Sequence, residues 1–407
     1  MVNYKGFQII MNIQHIQQLA GQYHEEMVKT RRYLHRHPEI SFREFETTAF
    51  IIRELEELGI PVDRPLETGC VGVLEGGIES DRVIALRADI DALAMEEEGE
   101  HKKEFISENK GAAHCCGHDS HTANLLGTAK ILSELRDEIE GTVLFIFQPG
   151  EEKLPGGGRL LCETGYLQDK GVDVIYGLHS SPYHKPGTIA LRKGPLMARP
   201  DEFEIEIIGK GGHAASPHQA IDSVVLAGQV ITQIQSIVSR GINPTEPAVI
   251  TIGKVSGGTA HNIIPEKVEM LGTVRTFSQE TADFISNRIE AIVKGVTEAA
   301  GASYKFSFNH GYPAVINTDW AVDNVTAAAS QIICRERIEI MDKPLMAGED
   351  FAFYQQYFPG AFFFLGSGRE ETGSTYAWHH PRYNVDEACF KTGAALMASL
   401  VFQPLSG

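Results

Sequence analysis

The sequence predicts an α/β protein in which a mixed, mostly parallel sheet flanked by helices is interrupted by an inserted second module. Three observations lead to this fold class. Apolar runs of strand length alternate with runs of helical periodicity in the N-terminal half, as in sheets covered by helices on both faces. Near Leu196 the pattern changes to strands that alternate apolar and polar residues, and after about Gly311 the apolar strands return.

The N-terminal segment supplies most of the predicted main sheet. Apolar residues recur at helical spacing over residues 13–58, and Gly59 and Pro61 end that run. The predicted strands are 71–74, 83–86, 142–147 and 172–178, with a helix at 121–135. Their continuous apolar character predicts strands buried on both faces of the sheet.

The middle segment has its own order of elements. We predict a strand at 203–208, a helix at 220–240, strands at 248–255 and 267–277, a helix at 279–300 and a strand at 304–309. This β-α-β-β-α-β order is that of the ferredoxin-like split unit. It predicts an inserted domain at 196–309, while residues 1–195 and 310–407 form the other domain. A helix at 351–357, a buried strand at 362–365 and a closing helix at 387–402 complete that domain.

Composition excludes several classes of function. The 36 basic and 54 acidic residues give a net charge of −18, which disfavours binding to nucleic acid or to an anionic membrane. The chain has no run near the ~18 apolar residues of a membrane span. Either Met1 or Met11 fits as the start, and we expect no secretory leader. The six cysteines have no regular spacing, which predicts reduced thiols in a cytoplasmic protein.

The densest cluster of reactive side chains lies at residues 114–121. Cys116 and His118 flank a glycine, so both can turn toward one point, and thiolate and imidazole are good zinc ligands. Asp119 can orient a ligand histidine through a hydrogen bond. The alternatives are a disulfide between Cys115 and Cys116, or a loop in which histidine caps a helix.

Two glutamates follow a strongly apolar strand. Glu151 and Glu152 come after residues 142–147, at the strand end where open α/β sheets form their ligand crevice. One carboxylate can bind metal while the other acts as a general base, although an isolated Glu-Glu pair is more often a solvated surface feature. His179, at the end of the next strand, and His379, before Pro381, add imidazoles. That these segments converge is a hypothesis at this point.

Taken together, these segments resemble the peptidase M20 metallohydrolases, and within them the N-acyl-amino-acid amidohydrolases, which include hippurate and auxin-conjugate hydrolases. The matching segments are 35–39, 86–93, 116–122, 148–152, 177–179, 211–218, 262–265, 348–351 and 379–381. Each motif is weak alone, but nine in the family order cover nearly the whole chain. The sequence departs from the subfamily at Cys115 and Gly150, where alanine is common, and at Ala94, where proline is usual.

The resemblance implies a centre of two divalent cations, with Zn, Mn, Ni and Co as candidates. The implied ligands are Cys116, His118, Glu152, His179 and His379. Cys116 would bridge the two metals, His118 and His179 would bind one, and Glu152 and His379 the other. His379 is preferred to His380 because the family's ligand lies two residues before proline. Glu151 would be the general base.

The resemblance also implies roles for the inserted domain, which in the family is a lid through which subunits dimerise. His213 would reach the site of a neighbouring subunit and stabilise the oxyanion, and Asn262 and Arg275 would contact the substrate. Without the resemblance, the sequence favours simpler interpretations: His213 lies in a turn, Asn262 caps a turn, and Arg275 is an exposed charge on a strand. We therefore expect a homodimer or a larger homo-oligomer.

The implied reaction is hydrolysis of an N-acyl amino acid to a carboxylic acid and a free amino acid, with Glu151 moving the proton. One alternative is a dipeptidase or carboxypeptidase on the same scaffold. The other is a non-catalytic metal or thiol sensor that uses Cys115 and Cys116. The second carboxylate beside Glu152 argues against a sensor, because a storage site needs no spare base.

Overall fold

The structure, a computed structural model, describes residues 4–405, and the side chains of residues 13–405. Met1, one of the two possible starts, lies outside the described residues. The helices are α1 Tyr4–Gln22, α2 His24–Arg36, α3 Phe45–Glu57, α4 His118–Glu134, α5 Gly157–Glu163, α6 Tyr166–Asp169, α7 Ser223–Ser236, α8 Gln279–Ala299, α9 Asp319–Ile332 and α10 Phe390–Leu400. The strands are β1 Val62–Asp63, β2 Cys70–Glu75, β3 Ile78–Asp89, β4 Glu140–Gln148, β5 Val174–Ser181, β6 Ile189–Leu191, β7 Gly194–Met197, β8 Arg199–Ile208, β9 Gly212–His213, β10 Val249–Gly257, β11 Ile263–Ile264, β12 Lys267–Thr276, β13 Ser303–Asn309, β14 Val315–Asn317, β15 Ile338–Ile340 and β16 Gly360–Gly366.

The described chain divides into two compact units. The first unit comprises the residues through Leu196, Ile316–Pro344 and those from Asp350 onward. The second unit comprises Met197–Val315 and Leu345–Glu349. It is therefore longer than the predicted insertion, 196–309, and includes a short segment near residue 345. Its role as a lid and dimerisation domain stays a prediction.

The first unit is built on a sheet with the strand order β1-β2-β4-β3-β5-β16-β6-β15. The central strands β4, β3, β5 and β16 run parallel, as do β6 and β15, while the other three neighbouring pairs are antiparallel. The predicted mixed, mostly parallel sheet is confirmed. Parallel strands end at the same edge, so the residues that follow β3, β4 and β5 are brought close to one another.

The helices of the first unit bury most of this sheet. Helix α4 packs against β3 and β5, and α2 and α10 pack against α4. Fourteen of the 17 residues of α4 are buried, which explains why this helix lacks a clear polar face. Its first residue is His118, so the start of this helix is held rigidly beside the ends of the parallel strands.

The second unit has the predicted β-α-β-β-α-β order, formed by β8, α7, β10, β12, α8 and β13. Its four-stranded sheet has the order β10-β12-β8-β13 with every neighbouring pair antiparallel. Strand β8 alternates buried and more exposed residues, as the sequence pattern predicts. The buried side chains pack against α7 and α8. This unit therefore has its own hydrophobic core.

Several predicted elements differ from the structure. The helical run at 13–58 is three helices, and the break after Arg36 coincides with Pro38, which cannot donate a helical hydrogen bond. The predicted helix at 351–357 is a 3₁₀ helix, Asp350–Gln356. The helix at 220–240 starts later, where Asp222 caps the N–H groups of Val224 and Val225. Helix α9 and the short strands β6 and β15 were not predicted.

Among the described residues, no helix is both long and apolar enough to cross a membrane.

Candidate metal centre

The candidate site lies in the first unit, at the edge where the parallel strands end. His179 lies near the end of β5, and Glu151 and Glu152 follow β4 after a two-residue turn. His118 begins α4. Since β4 and β5 both run parallel to β3, these side chains come from one edge of the sheet. This is the position where open α/β sheets bind ligands.

The five predicted ligands lie together. Their ligand atoms form two groups, Cys116–His118–His179 and Cys116–Glu152–His379, and the atoms of each group lie within 4.8 Å of one another. Cys116 Sγ is 3.4 Å from His179 Nε2, and His379 Nε2 is 3.1 Å from Glu152 Oε1. Cys116 belongs to both groups. The arrangement thus offers two three-ligand positions that share a thiol, and three protein ligands leave room for water and substrate.

Two buried atoms indicate that cations complete the cluster. Among the described residues, His118 Nε2 has no hydrogen-bond partner, and Glu152 Oε1 faces His379 Nε2 at 3.1 Å without forming a hydrogen bond, although burying an unpaired polar atom is costly. His118 Nε2 and Glu152 Oε1 lie 3.9 Å apart. His118 Nδ1 donates to Asp91 Oδ1 at 3.1 Å, and His179 Nδ1 donates to the Ser180 carbonyl at 2.8 Å. Both rings therefore use Nδ1 for a protein acceptor and turn Nε2 into the cluster, as metal-bound histidines do. The residues fit two divalent cations.

The charges of the cluster also favour a cation. Burial raises the pKa of the Cys116 thiol well above its usual value, and the neighbouring Glu152, Glu151 and Asp89 raise it further. Burial lowers the pKa of His118, but Asp89 and Asp91 overcome this and raise it to about 10. The metal-free site is thus rich in negative charge. A divalent cation would reverse the effect on Cys116, because a coordinating thiol loses its proton.

Glycine is required between Cys116 and His118. Gly117 has φ 97°, in the left-handed region, and it precedes the first residue of α4. A Cβ at this position would lie 2.4 Å from Ser180 Oγ and 2.8 Å from the Tyr383 hydroxyl. The close approach of this turn to β5 brings the thiol and the imidazole to one point.

Asp119 does not orient a ligand histidine, so that expectation is wrong. Its Oδ2 accepts hydrogen bonds from Arg31 Nε at 2.8 Å and from His35 Nδ1 at 2.7 Å. Consecutive residues of a helix face different directions, so Asp119 points away from the adjacent His118. Asp91, which follows β3, bonds to His118 instead.

The turn that carries Glu151 and Glu152 is held by other carboxylates. The Gly150 amide donates to Glu44 Oε1 at 2.8 Å, and the Glu152 amide donates to Asp91 Oδ2 at 3.0 Å. Glu151 is buried, with 6% of its surface exposed, and its carboxylate lies within 4.8 Å of the ligand atoms of His118 and Glu152. A second carboxylate is therefore present beside the candidate ligands.

His379, and not His380, joins the cluster. Its backbone has φ 63°, and its amide donates to the Cys115 carbonyl at 2.8 Å. The His380 ring stacks on Tyr376 and accepts a hydrogen bond from the Arg382 amide.

The six cysteines of the described chain form no disulfide bond, so the alternative of a disulfide between Cys115 and Cys116 is wrong. Five of them are buried, and Cys334 is exposed.

The other three predicted residues lie in the second unit. His213 is exposed in β9, where it pairs with Ile263 of β11, and the Ala214 amide donates to the Asn262 carbonyl at 3.1 Å. His213 and Asn262 are thus neighbours. Arg275 is partly buried in β12, and its Nε donates to the Met346 carbonyl at 3.2 Å. Their roles toward a substrate stay predictions.

Two supporting residues, Arg87 and Ser180, were not among the predicted site residues. Arg87, fully buried, donates to Gln148, Asp89 and Asp350 beneath the site. A buried arginine among carboxylates balances their charge, and an Arg within an apolar strand was the available signal. Ser180 joins β5 to several other elements, largely through backbone groups, which leave no signal in a sequence.

Comparisons with known proteins give a consistent picture. The family model described as peptidase family M20/M25/M40 matches residues 85–403. The N-acyl-L-amino acid amidohydrolase of Geobacillus stearothermophilus is 46% identical over 310 residues, which are 76% of this chain and 82% of the relative. The N-acetylcysteine deacetylase of Bacillus subtilis (strain 168) is 42% identical over 380 residues, 93% of this chain and 96% of the relative. The Bacillus subtilis YXEP protein, described as a dinuclear metal binding peptidase, has a TM-score of 0.79 and 37% identity, covering 94% of this chain and 98% of that structure.

The need for glycine at the ligand turn can be tested by stability. Gly117→Ala should lower the free energy of unfolding of the metal-free protein by about 1–3 kcal/mol more than Gly165→Ala, because the added Cβ overpacks a buried turn. Gly165 is the matched control, since it also precedes a helix with a left-handed φ, of 77°, but a Cβ there meets nothing within 4 Å. Urea denaturation measures both losses. Equal losses would show that the crowding against Ser180 has no effect.

Proposed function

Since this chain belongs to peptidase family M20/M25/M40, we propose that it hydrolyses the amide bond of N-acyl amino acids with two divalent cations as cofactors. Family membership and the amidohydrolase class are as predicted, and both are confirmed by the relatives. The products would be a carboxylic acid and a free amino acid. The names of the two relatives, an N-acyl-L-amino acid amidohydrolase and an N-acetylcysteine deacetylase, support this substrate class.

One observation carries the proposal. Two ligand groups share the buried Cys116 thiol, and the Glu151 carboxylate, which belongs to neither group, lies beside His118 and Glu152. In the proposed assignment His118 and His179 would hold one cation, Glu152 and His379 would hold the other, and Cys116 would contribute to both positions. Thiolate and imidazole favour Zn, whereas a carboxylate and open positions admit Mn, and Co or Ni fit the same mixed set.

Two cations bound there would polarise the amide carbonyl and lower the pKa of the attacking water. Glu151 would accept the proton of that water and deliver it to the leaving nitrogen, so the carboxylate is regenerated in each turnover. The burial of Glu151 favours this role, because bulk water has little access to its carboxylate and so competes little with it for the proton. A glutamate that holds a cation cannot also serve as the base. Glu152 would therefore be the ligand, and Glu151 the base.

Replacing the proposed base tests the mechanism. Glu151→Gln should keep both cations and the fold, but lower turnover of N-acetyl and N-benzoyl amino acids by about 10²–10⁴-fold, because the amide cannot accept a proton. The assay measures the released amino acid, and elemental analysis measures the metal. Glu163→Gln is the control, since Glu163 is exposed at the end of α5.

Wild-type turnover in Glu151→Gln would contradict the assignment of the base. If the wild-type enzyme released amino acids from dipeptides faster than from N-acyl amino acids, the peptidase alternative would replace the proposed substrate class. If the protein bound metal tightly but hydrolysed neither dipeptides nor N-acyl amino acids, the alternative of a non-catalytic metal or thiol sensor would be supported instead.

We also propose that the protein is a homodimer that associates through the second unit. Strand β10 lies at the edge of the four-stranded sheet, and its residues Val249 and Val255 are exposed. An exposed edge strand with apolar side chains offers unpaired backbone groups to a second strand. The family resemblance assigns His213 a role in the site of a neighbouring subunit, as an oxyanion donor.

Mass and catalysis together test this association. Light scattering should give at least a dimer, and His213→Ala should lower turnover by about 10²–10³-fold without loss of metal, because one oxyanion donor is removed. His218→Ala, an exposed residue in the same segment, is the control and should retain turnover. A fully active monomer would overturn the dimer and the role of His213.

A further inference from the structure

Ser180 connects the elements that carry the candidate ligands. Its amide donates to His121 Nε2 at 2.8 Å, and its carbonyl accepts from His179 Nδ1 at 2.8 Å and from Trp378 Nε1 at 2.9 Å. Its hydroxyl lies 2.8 Å from the Tyr383 hydroxyl and 3.0 Å from His121 Nε2. Ser180 therefore holds a residue of α4 through its amide, and a candidate ligand and the residue next to another candidate ligand through its carbonyl.

His121 completes an Asp-His-Ser chain. Its Nδ1 donates to Asp89 Oδ1 at 2.6 Å, and its Nε2 faces Ser180 Oγ. The same order of groups activates serine in many hydrolases. Here the lone pair of Nε2 already accepts the Ser180 amide, so it cannot also take the hydroxyl proton. Ser180 is 1% exposed, which leaves a substrate carbonyl no access to the hydroxyl.

The bonds fix the protonation of the two rings. Because His121 Nε2 accepts an N–H, its proton must be on Nδ1, where Asp89 holds it. Because the Ser180 carbonyl accepts from His179 Nδ1, His179 presents Nε2 without a proton, 3.4 Å from Cys116 Sγ.

We propose that His121 is a positioning residue for the metal centre: it accepts the Ser180 amide and thereby orients the carbonyl that fixes the His179 imidazole as a ligand. The Asp89–His121–Ser180 chain then serves metal binding and not nucleophilic catalysis. The inference rests on the proposed function for its metal. Its effect falls on one cation, because His179 belongs only to the group with Cys116 and His118.

Two substitutions separate the contacts of His121. In His121→Gln the amide oxygen can occupy the position of Nε2 and accept the Ser180 amide. In His121→Asn the shorter side chain can still reach Asp89, but not Ser180. His184→Asn is the matched control, since His184 follows the same strand and bonds to the Ser181 hydroxyl, away from the Ser180 peptide.

The experiment is a calorimetric titration of each chelator-treated, full-length protein with Zn²⁺, together with a circular dichroism melt of the metal-free form. His121→Asn should weaken one of two Zn²⁺ equivalents by about 10–100-fold, the usual cost of losing a hydrogen bond that orients a ligand. His121→Gln should lose less than about 10-fold, and the control should match wild type. If His121→Asn does not fold, Trp378→Phe takes its place, because it removes the second donor to the Ser180 carbonyl and keeps an aromatic ring beside His179.

Wild-type affinity in His121→Asn, or in Trp378→Phe where that variant is used, would overturn the inference. So would equal losses in His121→Gln and His121→Asn, because the accepted amide would then not matter. Covalent labelling of Ser180 by a fluorophosphonate, with loss of turnover, would show a nucleophile and overturn it as well. Wild-type protein that binds no Zn²⁺ would overturn the inference and the proposed function together, whereas two equivalents in the wild type with an unaffected variant would overturn the inference alone.

Discussion

The buried thiol of Cys116 is the group on which the site depends. It lies between a pair of imidazoles on one side and a carboxylate and an imidazole on the other, and it is shared by both ligand groups. In the absence of cations this is an unfavourable cluster, since burial and nearby carboxylates oppose the thiolate and two buried ligand atoms lack partners. Two divalent cations bound at the proposed positions would remove both penalties, so that binding and local stability would be coupled.

The fold supplies the rigidity that such a cluster needs. The ends of parallel strands bring Asp89, Glu151 and His179 to one edge, and the start of α4 brings His118 against them. The turn at Gly117 packs onto β5 so closely that no side chain fits. Carboxylates that are themselves hydrogen-bonded, such as Asp91, hold the imidazoles by their other nitrogen. Polar side chains such as Asp91 and Glu44 thus hold the groups that would face the proposed cations.

The sequence predicted the elements whose signal is local. Strands such as β4 were found because an uninterrupted apolar run of that length is typical of a strand buried on both faces. The three N-terminal helices were merged because the pattern continues across the break at Pro38. Strands of three residues, such as β6 and β15, carry too few side chains to form a pattern. Helix α9 was not predicted, although its apolar residues recur at helical spacing.

The candidate ligands were predictable because divalent cations bind thiolate, imidazole and carboxylate groups, and the resemblance to the M20 metallohydrolases selected five residues of these types. Asp91, which the resemblance implies is a supporting residue, does bond to His118, but the residues that act through backbone groups were not predictable, for a physical reason. Ser180 acts mainly through a peptide N–H and C=O that every residue except proline has, and Glu44 acts by accepting a distant backbone amide. Asp119 appeared suitable because it adjoins His118 in sequence, but neighbours along a helix point apart. Only the three-dimensional arrangement separates such cases.

The most direct test of this account is anomalous X-ray diffraction from crystals grown with Zn²⁺. We expect two peaks per chain, both at about 2.3 Å from Cys116 Sγ, the usual Zn–S distance. One should contact His118 and His179, and the other Glu152 and His379. A single peak in the neighbouring group Asp89–His118–His121, or two peaks that do not share Cys116, would contradict the central claim.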